Sequence, residues 1–209
     1  MDRMTDTAPH AVPVRRYSNV AVAFHWVTVV LVLLQIWLGF SFGAAEGAAR
    51  GNLFTWHKTT GAVILLLTLA RLTYRISNPP PPLPDDLSRW ERFAAVWNHR
   101  LFYILLLALP VGGLIAVSAR ATGPTTPLIG GVPLPVLPGV PKSIGELAGE
   151  AHELAAFALI ALIVIHFLAA MKHQFIDKAA SAGRMPPFQP PHHEPVVIGQ
   201  GGQTEWEER

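Results

Sequence analysis

No cysteine occurs among the 209 residues. That excludes disulfides, thiolate-ligated haem, iron–sulfur clusters held by this chain, and the C-x-x-C-H attachment of a covalent haem. Charge is scarce as well. Asp, Glu, Lys and Arg make up 14% of the residues, against about a quarter in an ordinary soluble domain. The formal net charge is only +2, and no basic run with interleaved aromatics is present, so nothing points to nucleic acid. There is no nucleotide-binding motif and no internal repeat.

What is present is apolar: 51% of the residues are hydrophobic, and the mean hydropathy is +0.35. These residues are gathered into four blocks, at about 20–42, 55–77, 94–118 and 150–175. Their charge-free cores include Thr59–Ala70, Leu101–Ala119 and Leu154–Met171. Roughly 20 apolar residues cross ~30 Å of hydrocarbon, and without water the backbone must satisfy itself, so helices are expected. The first block exceeds the usual h-region of a signal peptide and contains a histidine, so it reads as a retained span. The sequence therefore predicts an all-α membrane protein. It is a four-transmembrane-helix bundle over 17–178, preceded by a segment 1–16 and followed by a disordered tail 179–209.

Lys and Arg give the orientation. With a cytoplasmic N-terminus, twelve of them fall inside and four outside (Arg50, Lys58, Arg120 and Lys142), a positive-inside bias. Both termini are then cytoplasmic, and the expected location is the bacterial inner membrane. Ser41–Asn52 reads as a short outer loop and Pro79–Pro84 as an extended inner linker. Arg120–Ile144, rich in Pro and Gly, reads as a long outer loop that no helix can run through. Pro110 is expected to kink the third helix. Trp26, Trp37, Trp56 and Trp97 read as interfacial or packing aromatics.

Of nine histidines, His10, His192 and His193 lie near the ends of the chain. The other six, His25, His57, His99, His152, His166 and His173, sit in or beside the spans, where ionisable side chains are costly and mark function. His152 and His166 are 14 residues apart, which places them on one helix face, about 21 Å apart along the axis. By depth, His25 matches His166 near the inner side, and His57 matches His152 near the outer side. Two histidine pairs at two depths suit two stacked haems, since each iron has two axial positions that imidazole fills. Zinc would need its ligands gathered at one place. A histidine-lined proton or metal transporter remains the alternative from another class.

Several stretches carry a resemblance: Tyr17-Ser18, Phe24-His25-Trp26, His57-Lys58-Thr59-Thr60-Gly61, Arg71-Leu72-Thr73-Tyr74-Arg75, His99 to Tyr103, Ala108-Leu109-Pro110-Val111, Ala151-His152-Glu153, and His166 with His173. In this order, from about Tyr17 to Phe175, the chain resembles the bacterial cytochrome b561 family of four-helix di-haem membrane cytochromes. The resemblance implies two b haems with axial ligands at His25, His57, His152 and His166, and electron exchange with ubiquinone or another quinone. Some members are superoxide:quinone oxidoreductases, and related cytochromes serve as subunits of hydrogenases or dehydrogenases. Superoxide and a redox partner protein are thus both candidate partners, beside membrane lipid. The outer charges, four basic against four acidic, give no net pull on an anion.

Arg71 and Arg75, an i, i+4 pair, suit the inner haem's propionates or positive-inside anchoring. Lys58 suits the outer haem's propionate or snorkelling to the surface. Gly39 and Gly61 suit close approach of a flat macrocycle or plain helix packing. A quinone site on the inner side would draw on His173, nearly in line with His166, and on His99 at the start of the third helix, because quinone reduction needs a proton donor near neutral pH.

Overall fold

The computed structural model describes residues 14–83, 87–177, 185 and 196–198. Four long helices dominate: α1 (Asn19–Ala44), α2 (Gly47–Ser77), α3 (Arg89–Ser118) and α4 (Lys142–Met171), the last extended by one π turn over Lys172–Ile176. All four are long and apolar enough to cross a membrane. Their outward faces carry bare aliphatic and aromatic side chains; Leu66 is 67% exposed and Leu154 73%. Lipid, not water, solvates such a surface.

Two of the helix starts, those of α1 and α3, are fixed by a side-chain cap. Ser18 caps α1 by accepting from the Ala21 amide, and its hydroxyl shares a 2.8 Å hydrogen bond with Tyr74 near the end of α2. Ser88 and Glu91 form a reciprocal capping box at the start of α3, which satisfies two otherwise orphaned backbone donors. The α1–α2 connection is only Ala45–Glu46, and Gly47 takes a φ of 55°, a left-handed conformation that glycine adopts without penalty.

Three helices begin earlier than hydropathy suggests: α2 at Gly47 rather than 55, α3 at Arg89 rather than 94, and α4 at Lys142 rather than 150. Hydropathy senses the hydrocarbon, whereas the helices continue beyond it into the headgroup region; of the three, α3 carries a side-chain cap and α2 and α4 do not. The outer loop expected over Ser41–Asn52 therefore shrinks to a turn. The loop expected over Arg120–Ile144 ends at Pro141 and holds its own structure. Strands β2 (Thr125–Pro127) and β3 (Pro133–Pro135) pair antiparallel around a 3-10 turn at Ile129–Gly131. α3 runs through Pro110 as one helix. Strand β1 (Val14–Arg16) pairs in parallel with β4 (Val196–Ile198). The rest of the tail expected to be disordered, and nearly all of segment 1–16, lie outside the described residues.

α1 packs along α2, α2 along α3 and α3 along α4. Phe40 and Phe157, with ring centres 6.2 Å apart, bring α1 to α4. One buried aliphatic from each helix meets at mid-height: Val32, Ile64, Leu106 and Leu159. Steps of seven residues lead from this layer in every helix. They give His25–Val32–Gly39 on α1, His57–Ile64–Arg71 on α2, His99–Leu106–Gly113 on α3 and His152–Leu159–His166 on α4. Seven residues are close to two helical turns, so each set lines one seam facing the bundle axis. The level toward the α2–α3 linker (the linker face) thus holds His25, Arg71, His99 and His166. The level toward the α1–α2 turn (the hairpin face) holds Gly39, His57, Gly113 and His152.

Candidate functional site

The seams bring the histidines together in two groups. At the hairpin face the His57 and His152 ring centres lie 6.1 Å apart, with planes 67° from parallel. At the linker face His25 and His166 lie 6.4 Å apart, at 60°. At this separation one metal ion could be reached by a nitrogen from each ring.

The hairpin pair adjoins a cavity of about 1260 Å³, floored by the aliphatic layer and reaching Lys58 and Arg120 at the hairpin end. Glycine makes the room. A Cβ on Gly39 would stand 3.5 Å from His57, and one on Gly113 would stand 3.4 Å from His152. The imidazoles can thus lie against the neighbouring helix backbone. His152 Nδ1 donates to Leu109 O at 2.8 Å, which leaves its Nε2 lone pair open. Gln35 Nε2 donates to His57 Nε2 and to His57 O, both at 3.1 Å. His57 Nδ1 and Gln35 Oε1 are both buried with no hydrogen-bond partner.

The linker pair sits among larger groups. His99 meets the His166 ring edge-on at 5.7 Å, and Phe102 does so at 5.4 Å. The Asn98 amide nitrogen donates to His166 Nδ1 at 2.9 Å. His99 turns its own Nδ1–H to Ala95 O. Arg71 and Arg75 both lie against the Tyr103 ring, at 5.7 and 5.8 Å from its centre.

Two expected residues stand apart from the pairs. Lys58 Nζ donates to Thr126 Oγ1 at 2.6 Å and lies over Phe54, while the Ile129 amide donates to Thr59 Oγ1. Strand β2 and its turn are thereby tied down over the hairpin end. His173 Nδ1 donates to Asp177 Oδ2 at 2.8 Å, beside Lys172, which bridges Asp177 and Glu91. Hydrogen bonding from Lys172, and then from His173, holds the Asp177 carboxyl below its ordinary range. His99 therefore borders the linker pair, whereas His173 belongs to a polar cluster at the outer rim of that face.

Sequence reasoning missed Gln35, Asn98, Gly113 and Tyr103. The signal that finds the glycine is the seven-residue step running through every histidine. The two amides stand out only once their distances to the rings are known.

A family profile described as prokaryotic cytochrome b561 matches residues 16–187. Cytochrome b561 homolog 2 of Escherichia coli (strain K12) is 30% identical over 81% of this chain and 90% of its own length. A protein of Yersinia pestis named probable superoxide oxidase CybB is 26% identical over 83% of this chain and 97% of its own length. Cytochrome b562 of Cereibacter sphaeroides is 26% identical over 78% and 89%. Four membrane-crossing helices, two facing histidine pairs and a profile match along nearly the whole described length lead to one conclusion: the chain belongs to the prokaryotic cytochrome b561 family, bacterial membrane cytochromes that bind b-type haem and transfer electrons.

Proposed function

We propose that this chain carries electrons across the bacterial inner membrane through two b haems and exchanges them with quinone at the linker face. One haem is held by His25 and His166 and the other by His57 and His152. The observation that carries the reading is the pair of ring separations. Two imidazoles sharing one metal ion would stand ~6.2 Å apart, given a metal–nitrogen bond of about 2.0 Å and roughly 1.1 Å from ring nitrogen to ring centre on each side. The observed values are 6.1 and 6.4 Å. The open Nε2 lone pair of His152 and the glycines behind His57 and His152 fit the same group.

Bound there, haem would supply one-electron chemistry. The chain's residues do the rest. Arg71 and Arg75 offer guanidiniums to propionate carboxylates at the linker level, and Lys58 offers an ammonium at the hairpin end. The positive-inside bias makes the linker face cytoplasmic. There His99 borders the pair, and His173, steadied by Asp177, can pass a proton to a quinone oxygen. The hairpin face is then periplasmic. A relative whose name is probable superoxide oxidase makes superoxide the electron donor to test on that side.

Purified protein should show a b-type reduced spectrum with two haems per chain. His25→Ala or His166→Ala should remove one haem, and His57→Ala or His152→Ala the other. A single haem in the parent, or four variants with unchanged spectra, would sink the assignment. His173→Ala should keep both haems and lose quinone reduction; undiminished turnover would remove His173 from the quinone site.

A further inference from the structure

One imidazole of each pair gives its Nδ1 to a different kind of partner. His152 donates to Leu109 O, a backbone carbonyl that can only accept. The hydrogen bond that His166 makes among the described residues is to the Asn98 side chain, at 2.9 Å. That amide carries both a donor and an acceptor. Asn98 Oδ1 is buried with no hydrogen-bond partner. With the amide nitrogen on the ring, His166 keeps its proton on Nε2 and has no lone pair there for a metal. A half-turn of the amide puts Oδ1 in the same place. Oδ1 then accepts from Nδ1–H, and the Nε2 lone pair is free. Asn98 reaches across from α3 to α4 to do this, and His99, its neighbour in sequence, does not compete, because its own Nδ1–H is satisfied by Ala95 O.

We propose that Asn98 is a positioning residue for the haem at His25 and His166, an inference that rests on the ligand assignment above. Its amide oxygen fixes the His166 tautomer that offers Nε2 to iron. It also holds the reduction potential of that haem below the value it would have without an acceptor. An acceptor on Nδ1–H makes the imidazole a more basic ligand, which favours the more highly charged, oxidised iron. The hairpin haem has a backbone carbonyl in the same role, so its potential is independent of residue 98.

The test is a potentiometric titration of the full-length purified protein, following the haem absorption bands. The linker component is identified in a His57→Ala background, where it alone remains. Asn98→Leu, which removes the acceptor at similar size, should retain two haems, raise the linker potential and leave the hairpin potential in place. Asn98→Asp, which keeps an acceptor oxygen, should hold the linker potential at or below the parent value. Asn98→Ala carries the same expectation as Asn98→Leu should the leucine variant not fold. A linker potential indifferent to all these variants, or one raised equally by Asn98→Asp and Asn98→Leu, overturns the proposal. A parent protein with fewer than two b haems would instead overturn the ligand assignment beneath it.

Discussion

Gly113 stands where a side chain would press on the His152 imidazole, since a Cβ there would lie 3.4 Å from both Cε1 and Nδ1 of that ring. Its neighbour Gly112 faces roomier surroundings, at 3.8 Å from Ala148 O and 3.9 Å from His152 Cβ. On the proposed two-haem reading, Gly113→Val, which adds two further carbons to the crowded side, should lower haem content from two to one per chain, with the hairpin component lost. Gly112→Ala should retain both; equal losses in the two variants would refute a specific role for Gly113. The histidines were legible in the sequence because an ionisable side chain within an apolar span has few ordinary explanations. Gln35 and Asn98 were not, because an amide in a span also serves as routine helix-to-helix glue. What singles them out is a distance to an imidazole on another helix.

At Gly145, α4 packs tightly against the residue that ends α3: an added Cβ would overlap the Cβ of Ala119. Both positions lie in or beside backbone that cannot move without shifting the strand-bearing loop, whose Leu137 amide donates to Ser118 Oγ. Gly145→Ala should therefore destabilise the α3–α4 pair by about 1–3 kcal/mol, the usual cost of overpacking. The midpoint of thermal haem release would report it, and an unchanged midpoint would show that the helices part freely there. The four spans themselves were legible from hydropathy alone. Their first turns were not, because Gly47–Phe54 and Lys142–Gly149 are helical outside the most apolar stretch. The structure of the α3–α4 loop was hidden for a different reason. Its proline-rich strands are held by side chains far away in sequence, Lys58 and Thr59.

At the scale of the whole molecule, the seven-residue steps stack three levels, with a wholly aliphatic layer between two histidine-bearing ones. Val32, Ile64, Leu106 and Leu159 offer no hydrogen-bonding group, and the buried hydroxyl of Thr68 is spent on Ile64 O of its own helix. That layer is a dielectric partition. Among the described residues these side chains give protons no chain of donors and acceptors to follow through it, whereas an electron needs none. On the two-haem reading proposed above, transfer between the two levels is electrogenic. His152 and His166 are separated by about 21 Å of helix in a hydrocarbon ~30 Å thick, so an electron passing between the levels traverses some two-thirds of the membrane field. A full crossing is worth about 2.3 kcal/mol per 100 mV. In sealed vesicles holding half-reduced protein, an imposed voltage should redistribute electrons between the two spectral components, and reversing the voltage should reverse the redistribution.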